Sequence, residues 1–573
     1  MVLRHFVVVA FAIAQAYAGN KSLTADVGVY GATPAGLIAA IAAAREGRRV
    51  IVLEATDWIG GMMTGGLSHA DIGDPRVTGG LAMDIFRRIA RLYEPGANAT
   101  DDIACFAFEP QVASRAFAAL LADPAFGAGR VSIRVNQTLR SVARIGGALT
   151  GVTTDAGLTL AASVWIDASY EGDLAAAAGA PMVFGRESTD EFGEGHAGVR
   201  PPCQSDRYAF QVPLPDHFAP GSDNRTLLPL INTDAPRPAV GSADLRPANM
   251  CYRLCMTANK SDSIPVAKPE AYDPDRWELQ RRYYAAWGHD TLDKALTIHT
   301  LPRNTTDWNV GDAVSLDVVG GSWPSGGGRM PPFWYANATW PQRRAIIRFH
   351  REYTRGFLYF LQNDPGVPAA MREAARRYGF CRRAWPPRYG GFPPQLYVRE
   401  GRRLRGAYVL VEADRRWNTT KHDTVALGSY SLDCHPSVRY ATPGSPWVHN
   451  EGMLCGLRRR RRRLGPRTEF DMGPFEIPYR SLLPRRGEAA SNLLVPTALS
   501  ASHVAFCAVR MEPTWMALGH AAGIAAHMTL AGGGAAAVHD VDVAVLQATL
   551  RAQGSVVSKA DIAGSPRDIC PPT

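Results

Sequence analysis

Two glycines and one acid near the start of the chain have the spacing of a dinucleotide-binding turn. Gly31 and Gly36 bracket a turn after an apolar run, and Glu54 stands at the tip of a second apolar run. A strand, a turn and a helix in this order present the positive end of the helix to a pyrophosphate, and a side chain at Gly36 would face that group. An acid about 20 residues beyond the turn suits the hydroxyls of an adenosine ribose and disfavours a 2′-phosphate. The stretch therefore predicts a Rossmann-like βαβ unit that binds a dinucleotide other than NADP.

The turn departs from the usual glycine pattern at one position, which Thr33 occupies. Thr33 also stands where a helix N-cap belongs, and Pro34 stands at the first helical position. Two glycine pairs, at 60–61 and 65–66, follow Glu54. Such pairs let a second backbone segment lie against the pyrophosphate of FAD, which is typical of flavoproteins. We therefore predict FAD as the cofactor; the alternative is an ordinary α/β crossover whose glycines only form turns.

Further elements are needed to position these residues. An Ala-rich helix follows the turn and Gly47 can end it, residues 49–53 form a buried strand, and another buried strand ends at Asp167. Near the C-terminus, a strand at 492–496 leads to a helix starting near Pro513, whose positive end could stabilise charge on reduced flavin. The predicted cofactor-binding residues are Gly31, Thr33, Pro34, Ala35, Gly36, Glu54, Gly60, Gly61, Gly65, Gly66, Asp167, Ala168, Gly172, Asp173 and Glu512.

The start of the chain and its glycosylation motifs indicate a secreted protein. Residues 1–18 have the charged start, apolar middle and Ala-x-Ala end of a signal peptide. No later apolar run is long enough to span a bilayer, so we expect no membrane span. The motif Asn-x-Ser/Thr occurs at eight of the fourteen asparagines, namely Asn20, Asn98, Asn136, Asn224, Asn259, Asn304, Asn337 and Asn418. We expect an extracellular or secretory-pathway protein that carries N-linked glycans.

Most of the net charge of +9 comes from six consecutive arginines at 458–463. The run is best interpreted as a solvated loop insertion or an error in the gene prediction. Without stacking aromatics nearby, and behind a signal peptide, it does not indicate nucleic-acid binding. Nine cysteines in an oxidising compartment predict disulfides with at least one thiol left over. Their spacing is not typical of a zinc site, so we expect no metal.

Changes of composition along the chain predict an α/β fold with a discontinuous FAD-binding domain. Residues 131–168 alternate between apolar and polar types and predict a β-ribbon, while 275–287 and 341–362 have helical patterns. The predicted divisions are a signal peptide at 1–18, the first part of the Rossmann-like FAD-binding domain at 24–190, an inserted α+β substrate or cap domain at 191–395, the second part of the FAD-binding domain at 396–535, and a C-terminal extension at 536–573.

Several short blocks are specific in combination. They are YGATPAG at 30–36, GGL at 65–67, DIG at 71–73, TGG at 78–80, FEP at 108–110, IDASYEGDL at 166–174, YRLCMT at 252–257, YVRE at 397–400 with RR at 402–403, SYSLDCH at 429–435, SASHVAF at 500–506 and RMEP at 510–513. In these blocks the chain resembles the secreted FAD-dependent oxidoreductases of the "FAD-oxidored" family, some of which carry a xanthan-lyase label. The resemblance covers about residues 26–530 and implies a flavin-binding α/β fold and redox chemistry, but little about the substrate. The chain departs from the family near 379–385, where FCRR replaces an acidic stretch.

Two histidines within these blocks are candidates for moving a substrate proton. Hydride transfer to flavin needs a base for the substrate proton, and histidine is the side chain best tuned for that role. His435 follows Asp433, which could orient it, and His503 follows the strand that returns to the flavin. Either histidine could instead be structural. His69, which follows the second glycine pair, is a weaker candidate for a covalent flavin tether.

Arg399, Glu400 and Arg403 form a charged cluster beside an apolar strand. Arginines near a flavin can hold a carboxylate or an anionic sugar in a bidentate way. The cluster could equally be a buried ion-pair network that joins the domains. Arg253 and Asp307 are weaker candidates in the insert. The predicted catalytic residues are therefore His435, His503, Arg399 and Glu400.

Together these features predict a secreted FAD-dependent oxidoreductase. It would transfer a hydride between flavin and a small-molecule or carbohydrate substrate, such as a sugar or a hydroxy acid. No second nucleotide-binding turn is visible, so oxygen or a small acceptor is expected as the oxidant. The alternative is a polysaccharide lyase or a carbohydrate-binding glycoprotein with a structural flavin. A yellow protein that substrate bleaches would favour the oxidoreductase.

Overall fold

The computed structural model describes residues 22–94, 106–201, 219–221, 226–233, 238–310, 335–416, 418–441, 448–454, 473–532 and 537–562. The predicted signal peptide, the arginine run at 458–463 and the glycosylation motifs at Asn20, Asn98 and Asn224 lie outside these residues.

The described strands are β1 (Ser22–Tyr30), β2 (Val50–Leu53), β3 (Val131–Arg134), β4 (Leu139–Ile145), β5 (Ala148–Thr154), β6 (Thr159–Asp167), β7 (Met182–Val183), β8 (Asn232–Thr233), β9 (Leu254–Thr257), β10 (Ser263–Ile264), β11 (Leu296–Thr300), β12 (Thr306–Val310), β13 (Gly379–Cys381), β14 (Arg403–Leu404), β15 (Thr424–Gly428), β16 (Val438–Ala441), β17 (Val448–Glu451), β18 (Phe475–Pro478) and β19 (Leu493–Leu494). The described α-helices are α1 (Pro34–Arg45), α2 (Gly61–Gly65), α3 (Gly80–Tyr93), α4 (Pro110–Leu121), α5 (Asp173–Ala177), α6 (Thr189–Phe192), α7 (Glu278–Trp287), α8 (Leu292–Ala295), α9 (Trp340–Asn363), α10 (Ala369–Arg376), α11 (His503–Val509), α12 (Glu512–Ala531), α13 (Val543–Ala552) and α14 (Lys559–Ile562).

The largest sheet has the strand order β3-β2-β1-β6-β5-β4, and β19 pairs with β6 outside this path. β1 lies parallel to β2 and to β6, with Val27 opposite Val50 on one side and Val164 on the other. β19 also pairs in parallel with β6, so the C-terminal part of the chain returns to the N-terminal sheet. These parallel strands, with α1 crossing from β1 to β2, confirm the predicted α/β, Rossmann-like class.

The β-ribbon predicted over 131–168 is only partly present. β4, β5 and β6 form an antiparallel meander. β3 instead pairs in parallel with β2, with Arg134 opposite Leu53, and forms an edge of the main sheet. Alternation of apolar and polar residues indicates which face of a strand is buried, but it does not identify the neighbouring strand. The prediction was therefore wrong for β3.

Helix α1 has the predicted ends. Thr33 is its N-cap, with a side chain that accepts a hydrogen bond from the Gly36 N–H, and Pro34 is the first helical residue. Gly47 follows the C-cap residue in the left-handed region, at φ 85°. A glycine there ends a helix without the strain that a side chain would bring.

Helix α12 packs closely along α1. A Cβ on Gly519 would lie 2.3 Å from the Ala35 carbonyl oxygen, and one on Gly523 would lie 2.4 Å from that of Ala39. The two helix backbones approach this closely only because both positions are glycine. Although α12 is mostly buried and apolar, no helix in the described ranges is long and apolar enough to cross a membrane.

Residues 254–381 supply a second sheet with the order β10-β13-β9-β12-β11, and all its pairs are antiparallel. A disulfide between Cys255 and Cys381 joins β9 to β13. α9 covers the helical pattern predicted at 341–362, and α7 covers residues 278–287 of the pattern predicted at 275–287, after a 3-10 helix at Pro274–Trp277. The predicted domain boundaries at 190 and 395 stay a prediction.

Candidate functional site

The turn before α1 is packed against the end of β6. The Thr33 hydroxyl accepts from the Gly36 N–H at 3.2 Å and donates to the Ala168 carbonyl at 2.7 Å. A Cβ on Gly31 would lie 2.6 Å from the Ser169 backbone nitrogen, and one on Gly36 would lie 2.0 Å from the Gly31 carbonyl oxygen. The turn itself therefore requires Gly36. The expectation that a side chain there would face the pyrophosphate stays a prediction.

The first glycine pair lies against this turn. The Gly60 N–H donates to the Ala32 carbonyl at 2.7 Å. Gly61 lines a cavity together with Gly31 and Tyr170, and a Cβ on Gly61 would lie 2.4 Å from the Tyr170 hydroxyl oxygen. Two backbone segments thus come together at one cavity, as expected for a site that cradles a pyrophosphate.

The second glycine pair faces different neighbours. A Cβ on Gly65 would lie 2.5 Å from Cβ of Gln395, and one on Gly66 would lie 3.3 Å from the Arg253 carbonyl oxygen. Both contacts are to segments at or near the insert. The structure therefore gives this pair a packing role of its own, and its predicted contact with the pyrophosphate stays a prediction.

Glu54 reaches from the tip of β2 back to the turn. Its Oε2 accepts from the Ala32 N–H at 2.7 Å, and its Oε1 accepts from the N–H and hydroxyl of Thr56 at 2.9 and 2.8 Å. Burial raises the pKa of Glu54 to about 7, although these hydrogen bonds lower it. Glu54 lines the same cavity as the turn. Because a carboxylate has about four acceptor positions, it can still accept from a ribose hydroxyl.

Asp167 stabilises the loop after β6. Its Oδ1 accepts from the N–H and hydroxyl of Ser169 at 3.1 and 2.7 Å, and its Oδ2 accepts from the Ala175 N–H at 2.7 Å. Burial raises the pKa of Asp167 to about 6 against these bonds. The Ala168 carbonyl also accepts from the Thr497 hydroxyl at 3.2 Å. Asp167 and Ala168 thus fix the backbone that forms one wall of the cavity.

Asp173 lies at the junction with the insert. Gly172, at φ 65°, is the N-cap of α5 and directs the chain there. Asp173 accepts from Arg343 at 2.6 Å, from Arg402 at 2.8 Å and from the Trp340 ring N–H at 3.0 Å. Burial alone would raise the pKa of Asp173, but the two arginines lower it. Its predicted reach toward the ribityl chain stays a prediction.

The sequence does not show the part of the cavity that the insert lines. Five residues line it from there, namely Tyr335, Trp340, Ile347, Pro394 and Gln395. The Tyr335 hydroxyl also donates to Glu171 at 2.8 Å. The sequence marks only the start of α9, through the capping box at Thr339. The local sequence cannot show that the start of α9 covers a cavity whose glycines lie about 300 residues earlier in the chain, since only tertiary packing brings the two segments together.

Glu512, the first residue of α12, is buried beside the cavity wall. The Tyr170 hydroxyl donates to Glu512 Oε1 at 2.6 Å and accepts from the Met62 N–H at 3.0 Å. Burial raises the pKa of Glu512 to about 8, opposed by the Tyr170 hydrogen bond. Within the described residues its Oε2 is buried without a hydrogen-bond partner. We call Gly31, Gly36 and Gly61 the glycine cradle. The cradle and Glu512 Oε2 fit a bound flavin dinucleotide, because the polar edge of the flavin can form the hydrogen bond that a buried polar atom requires.

A second group of polar side chains lies where C-terminal segments meet residues after α2. We call it the open cluster; it consists of Asp71, Tyr397, Tyr430, Asp433, His435 and Arg510. The Tyr430 hydroxyl donates to Asp71 at 2.9 Å. Arg510 donates to Asp433 at 2.8 Å and to the Tyr397 hydroxyl at 3.1 Å. The hydrogen bonds connect segments that are far apart in sequence into one polar wall.

Asp433 stands between two positively polarised groups of the open cluster. The Nε2 atom of His435 lies 3.3 Å from Asp433 Oδ2, and the Asp433 side chain is 35% exposed. Partial burial would raise the pKa of Asp433, but the charge and hydrogen bond of His435 and the charge of Arg510 hold it well below its ordinary value. Asp433 is therefore an ionised, partly exposed carboxylate that orients His435, whose side chain is 15% exposed, as its position in the sequence suggested.

Glu400, Arg403 and His503 belong to a different group, which with Glu187 we call the buried network. Arg403 contacts the carboxylates of Glu400 and Glu187, the latter at 2.7 Å. His503 Nδ1 lies 2.9 Å from Glu400 Oε2, and the His503 backbone N–H donates to Glu187 at 2.8 Å. All four side chains are buried. This placement favours the interpretation of the charged cluster as an ion-pair network that joins distant segments.

Arg399 is also buried, and it packs against Tyr397 of the open cluster. It donates to the carbonyl and side-chain oxygens of Asn249 at 2.9 Å each and to the Cys251 sulfur at 3.2 Å. Its guanidinium lies 5.0 Å from the centre of the Tyr397 ring. These hydrogen bonds run to residues within the insert, and the predicted contact of Arg399 with substrate stays a prediction.

The weaker candidates form pairs. Arg253 makes a buried ion pair with Asp307 of β12, so both charges are used within the protein. The His69 ring stacks on the His299 ring of β11, with 5.2 Å between ring centres. The covalent tether suggested for His69 stays a prediction.

The structure assigns two disulfides that the sequence left open, Cys255–Cys381 and Cys434–Cys507. Cys251, the fifth described cysteine, is buried and accepts a hydrogen bond from Arg399. A ring nitrogen of His503 lies within 4.8 Å of the sulfurs of Cys434 and Cys507. These three residue types can hold a metal, but two sulfurs bonded to each other are not the thiolates that a metal requires.

A family model described as FAD dependent oxidoreductase matches residues 26–550. The match includes the turn, both glycine pairs, the open cluster and the buried network. A comparison with curated proteins finds no match.

Among solved structures, similarities are short. PqsL of P. aeruginosa in complex with 2-aminobenzoylacetate is 17% identical, with a TM-score of 0.18, over 25% of this chain and 42% of that one. NikD, an unusual amino acid oxidase essential for nikkomycin biosynthesis, is 20% identical, with a TM-score of 0.20, over 29% and 57%. OxyS anhydrotetracycline hydroxylase from Streptomyces rimosus is 16% identical, with a TM-score of 0.22, over 34% and 43%. This chain thus spans about half the length of these proteins, and likenesses at such scores carry no argument about function.

Proposed function

This chain belongs to the FAD-dependent oxidoreductase family, and we propose that it is a secreted, glycosylated flavoenzyme that oxidises a small hydroxyl-bearing substrate at the open cluster. FAD is its cofactor, and the residues that would hold it are the glycine cradle at Gly31, Gly36 and Gly61, with Glu54 and Glu512. Bound FAD supplies a two-electron acceptor for the hydride of the substrate. A sugar or a hydroxy acid is the proposed substrate, and oxygen or another small acceptor the proposed oxidant.

The observation that carries the substrate site is the partly exposed pair of Asp433 and His435. Oxidation of an alcohol to a carbonyl releases one hydride and one proton, and the proton needs a base. His435 would take the hydroxyl proton, and the ionised carboxylate of Asp433, 3.3 Å away, would stabilise the imidazolium that forms. Tyr397 and Tyr430 offer hydroxyls in the same cluster for positioning a polar substrate. His503 is not needed for this step.

The proposal is tested on the purified yellow protein by anaerobic mixing with a panel of sugars and hydroxy acids. A substrate should bleach the flavin absorbance, and His435→Ala should slow that bleaching by about 10²–10⁴-fold, which is typical for loss of a general base. FAD content should stay at the parental level. His422→Ala is the matched control, because the His422 side chain is 82% exposed beside Asp423 rather than in the open cluster.

Two results would contradict the assignment. If His435→Ala reduces flavin at the parental rate, the base lies elsewhere. If no member of a broad panel bleaches the parental protein, a flavin with a structural role becomes the better account.

Secretion is proposed from the signal peptide and from the glycosylation motifs. All five described motif asparagines are exposed: Asn136, Asn259, Asn304, Asn337 and Asn418. A glycan requires a surface asparagine, so this pattern supports modification of all five. Peptide mapping before and after glycosidase treatment should show glycans at these residues. Asn363, exposed but without the motif, should stay unmodified. Unmodified asparagines in protein from the native host would contradict the proposal.

A further inference from the structure

The partly exposed groups of the open cluster are mostly hydrogen-bond acceptors. The Asp433 side chain is 35% exposed and that of His435 15%, and Asp71 and Tyr430 are half-buried. A carboxylate can only accept hydrogen bonds. The Tyr430 hydroxyl donates its proton to Asp71, so toward a ligand it also accepts. A substrate at this surface therefore needs to bring several hydrogen-bond donors.

The arginines that contact members of the open cluster lie beneath its surface. Arg399, Arg415 and Arg510 each contact a member of the cluster, and they are 1%, 7% and 2% exposed. Arg510 donates to Asp433, and Arg415 donates to the backbone carbonyl of Tyr430 at 3.0 Å. A carboxylate on a substrate would therefore find no exposed guanidinium among these three arginines for a bidentate ion pair.

The charges around Tyr397 of the open cluster balance. They belong to two arginines, Arg399 and Arg510, and to two acids, Asp71 and Asp433. Because the acids lie nearer the surface than the arginines, a negative group that enters would meet the acids first. A positive group is disfavoured for another reason, since His435 becomes a cation when it takes the substrate proton. An uncharged substrate meets neither penalty.

We propose that the substrate of the open cluster is an uncharged sugar or polyol, and not a hydroxy acid or a uronic acid. The proposal rests on the oxidation proposed above and narrows its substrate class. Neighbouring hydroxyls of the substrate would donate to the side-chain oxygens of Asp71 and Asp433. A carboxylate in place of one of these hydroxyls would bring acceptors to acceptors.

The test compares matched compounds on the intact yellow protein. Glucose, galactose and mannose are each paired with the corresponding uronate, which has the same ring hydroxyls and one added carboxylate. Glucuronamide, in which an amide replaces the carboxylate, separates the effect of charge from that of size. Anaerobic mixing measures the second-order rate constant of flavin reduction, and calorimetry measures binding to the oxidised protein.

At least one sugar should reduce the flavin about 10²-fold faster than its uronate, because like charges brought together are strongly unfavourable. Glucuronamide should behave like glucose rather than like glucuronate. A uronate that reacts as fast as its sugar would overturn the substrate class and leave the oxidation standing. Tighter binding of the sugars without any flavin reduction would contradict the oxidation alone. If no compound binds or reduces the flavin, both proposals are wrong.

A variant isolates the role of Asp71. Asp71→Asn keeps an oxygen that can accept from Tyr430 but removes the acid, so the ratio of the sugar rate to the uronate rate should fall by about 10-fold. Asp84→Asn is the matched control, because Asp84 lies on α3 with a side chain that is 34% exposed beside Arg87. An unchanged ratio in folded Asp71→Asn, or an equal fall in Asp84→Asn, would overturn the role of Asp71. If Asp71→Asn does not fold, the matched compounds on the parental protein still decide the substrate class.

Discussion

The dinucleotide cleft and the buried network are built in opposite ways. The cleft is made largely of backbone: Gly31, Gly36 and Gly61 hold two chain segments so close that a Cβ on any of them would collide with a neighbour. The buried network is made of charged side chains, and Arg403 alone contacts two carboxylates. The cleft therefore depends on positions that have no side chain, whereas the buried network depends on opposite charges that balance. The same change of one side chain should consequently act differently in the two regions.

The largest effect should come from adding one methyl group to the cleft. In Gly36→Ala the new Cβ would lie 2.0 Å from the Gly31 carbonyl oxygen, so the turn must move. We expect loss of bound FAD altogether, measured as the ratio of flavin to protein absorbance after gel filtration. Gly195→Ala is the control, because nothing lies within 4 Å of a Cβ there. If Gly36→Ala binds as much FAD as the parent, the turn accepts a Cβ at residue 36 and the prediction is wrong.

The next effect should come from removing one charge from the buried network. Arg403→Met leaves Glu187 and Glu400 buried without their common cation, which typically costs about 3–5 kcal/mol. The midpoint of urea unfolding should fall accordingly. Arg486→Met removes an ion pair with Asp540 whose side chains are 61% and 52% exposed, and should change little. Equal effects of the two substitutions would remove the distinction between an assembled network and ordinary surface pairs.

The smallest effect should be a pH dependence of stability that comes from Glu512, a buried acid beside the wall of the cavity. Its pKa rises from an ordinary 4.5 in the unfolded chain to about 8 in the folded protein. Folding stability from the protonated acid is thus fully present below about pH 4.5 and is lost as the pH rises toward 8. Melting temperatures of the parent and of Glu512→Gln should therefore diverge as the pH rises from 5 to 8, with the parent losing more.

The control for this measurement is Glu373→Gln, which changes an exposed acid on α10. It should follow the parental pH profile. Parallel profiles for the parent and Glu512→Gln would mean that Glu512 ionises without cost, and the buried acid would then have a partner that the described residues lack.

How far the sequence predicts each region follows from the same contrast. The cap at Thr33, the first helical residue Pro34 and the terminator Gly47 lie within one short segment, and their chemistry is local, so the βαβ unit could be predicted closely. The pairing of β3 with β2 could not, because side-chain alternation does not specify a neighbouring strand.

The candidate site divides similarly. Asp433 is two residues from His435, and their interaction was predictable from that spacing. Glu187 and the His503 N–H are 316 residues apart, and Tyr335 and Glu171 are 164 apart. Neither contact follows from local propensity or periodicity. They depend on tertiary packing, so the sequence alone leaves two interpretations of the buried network and does not show that the insert lines the cavity.

The contacts of Asp173 with Arg343 and Arg402 also set an order of events during synthesis. These partners follow it by 170 and 229 residues. At about 5–20 residues per second, the ribosome needs on the order of ten seconds or more to deliver them. During that interval the nascent cradle lacks the outer wall that Tyr335 and Trp340 later provide. We therefore expect stable capture of the cofactor late in synthesis, after the segment around residue 402 and then Glu512 of α12 have left the ribosome.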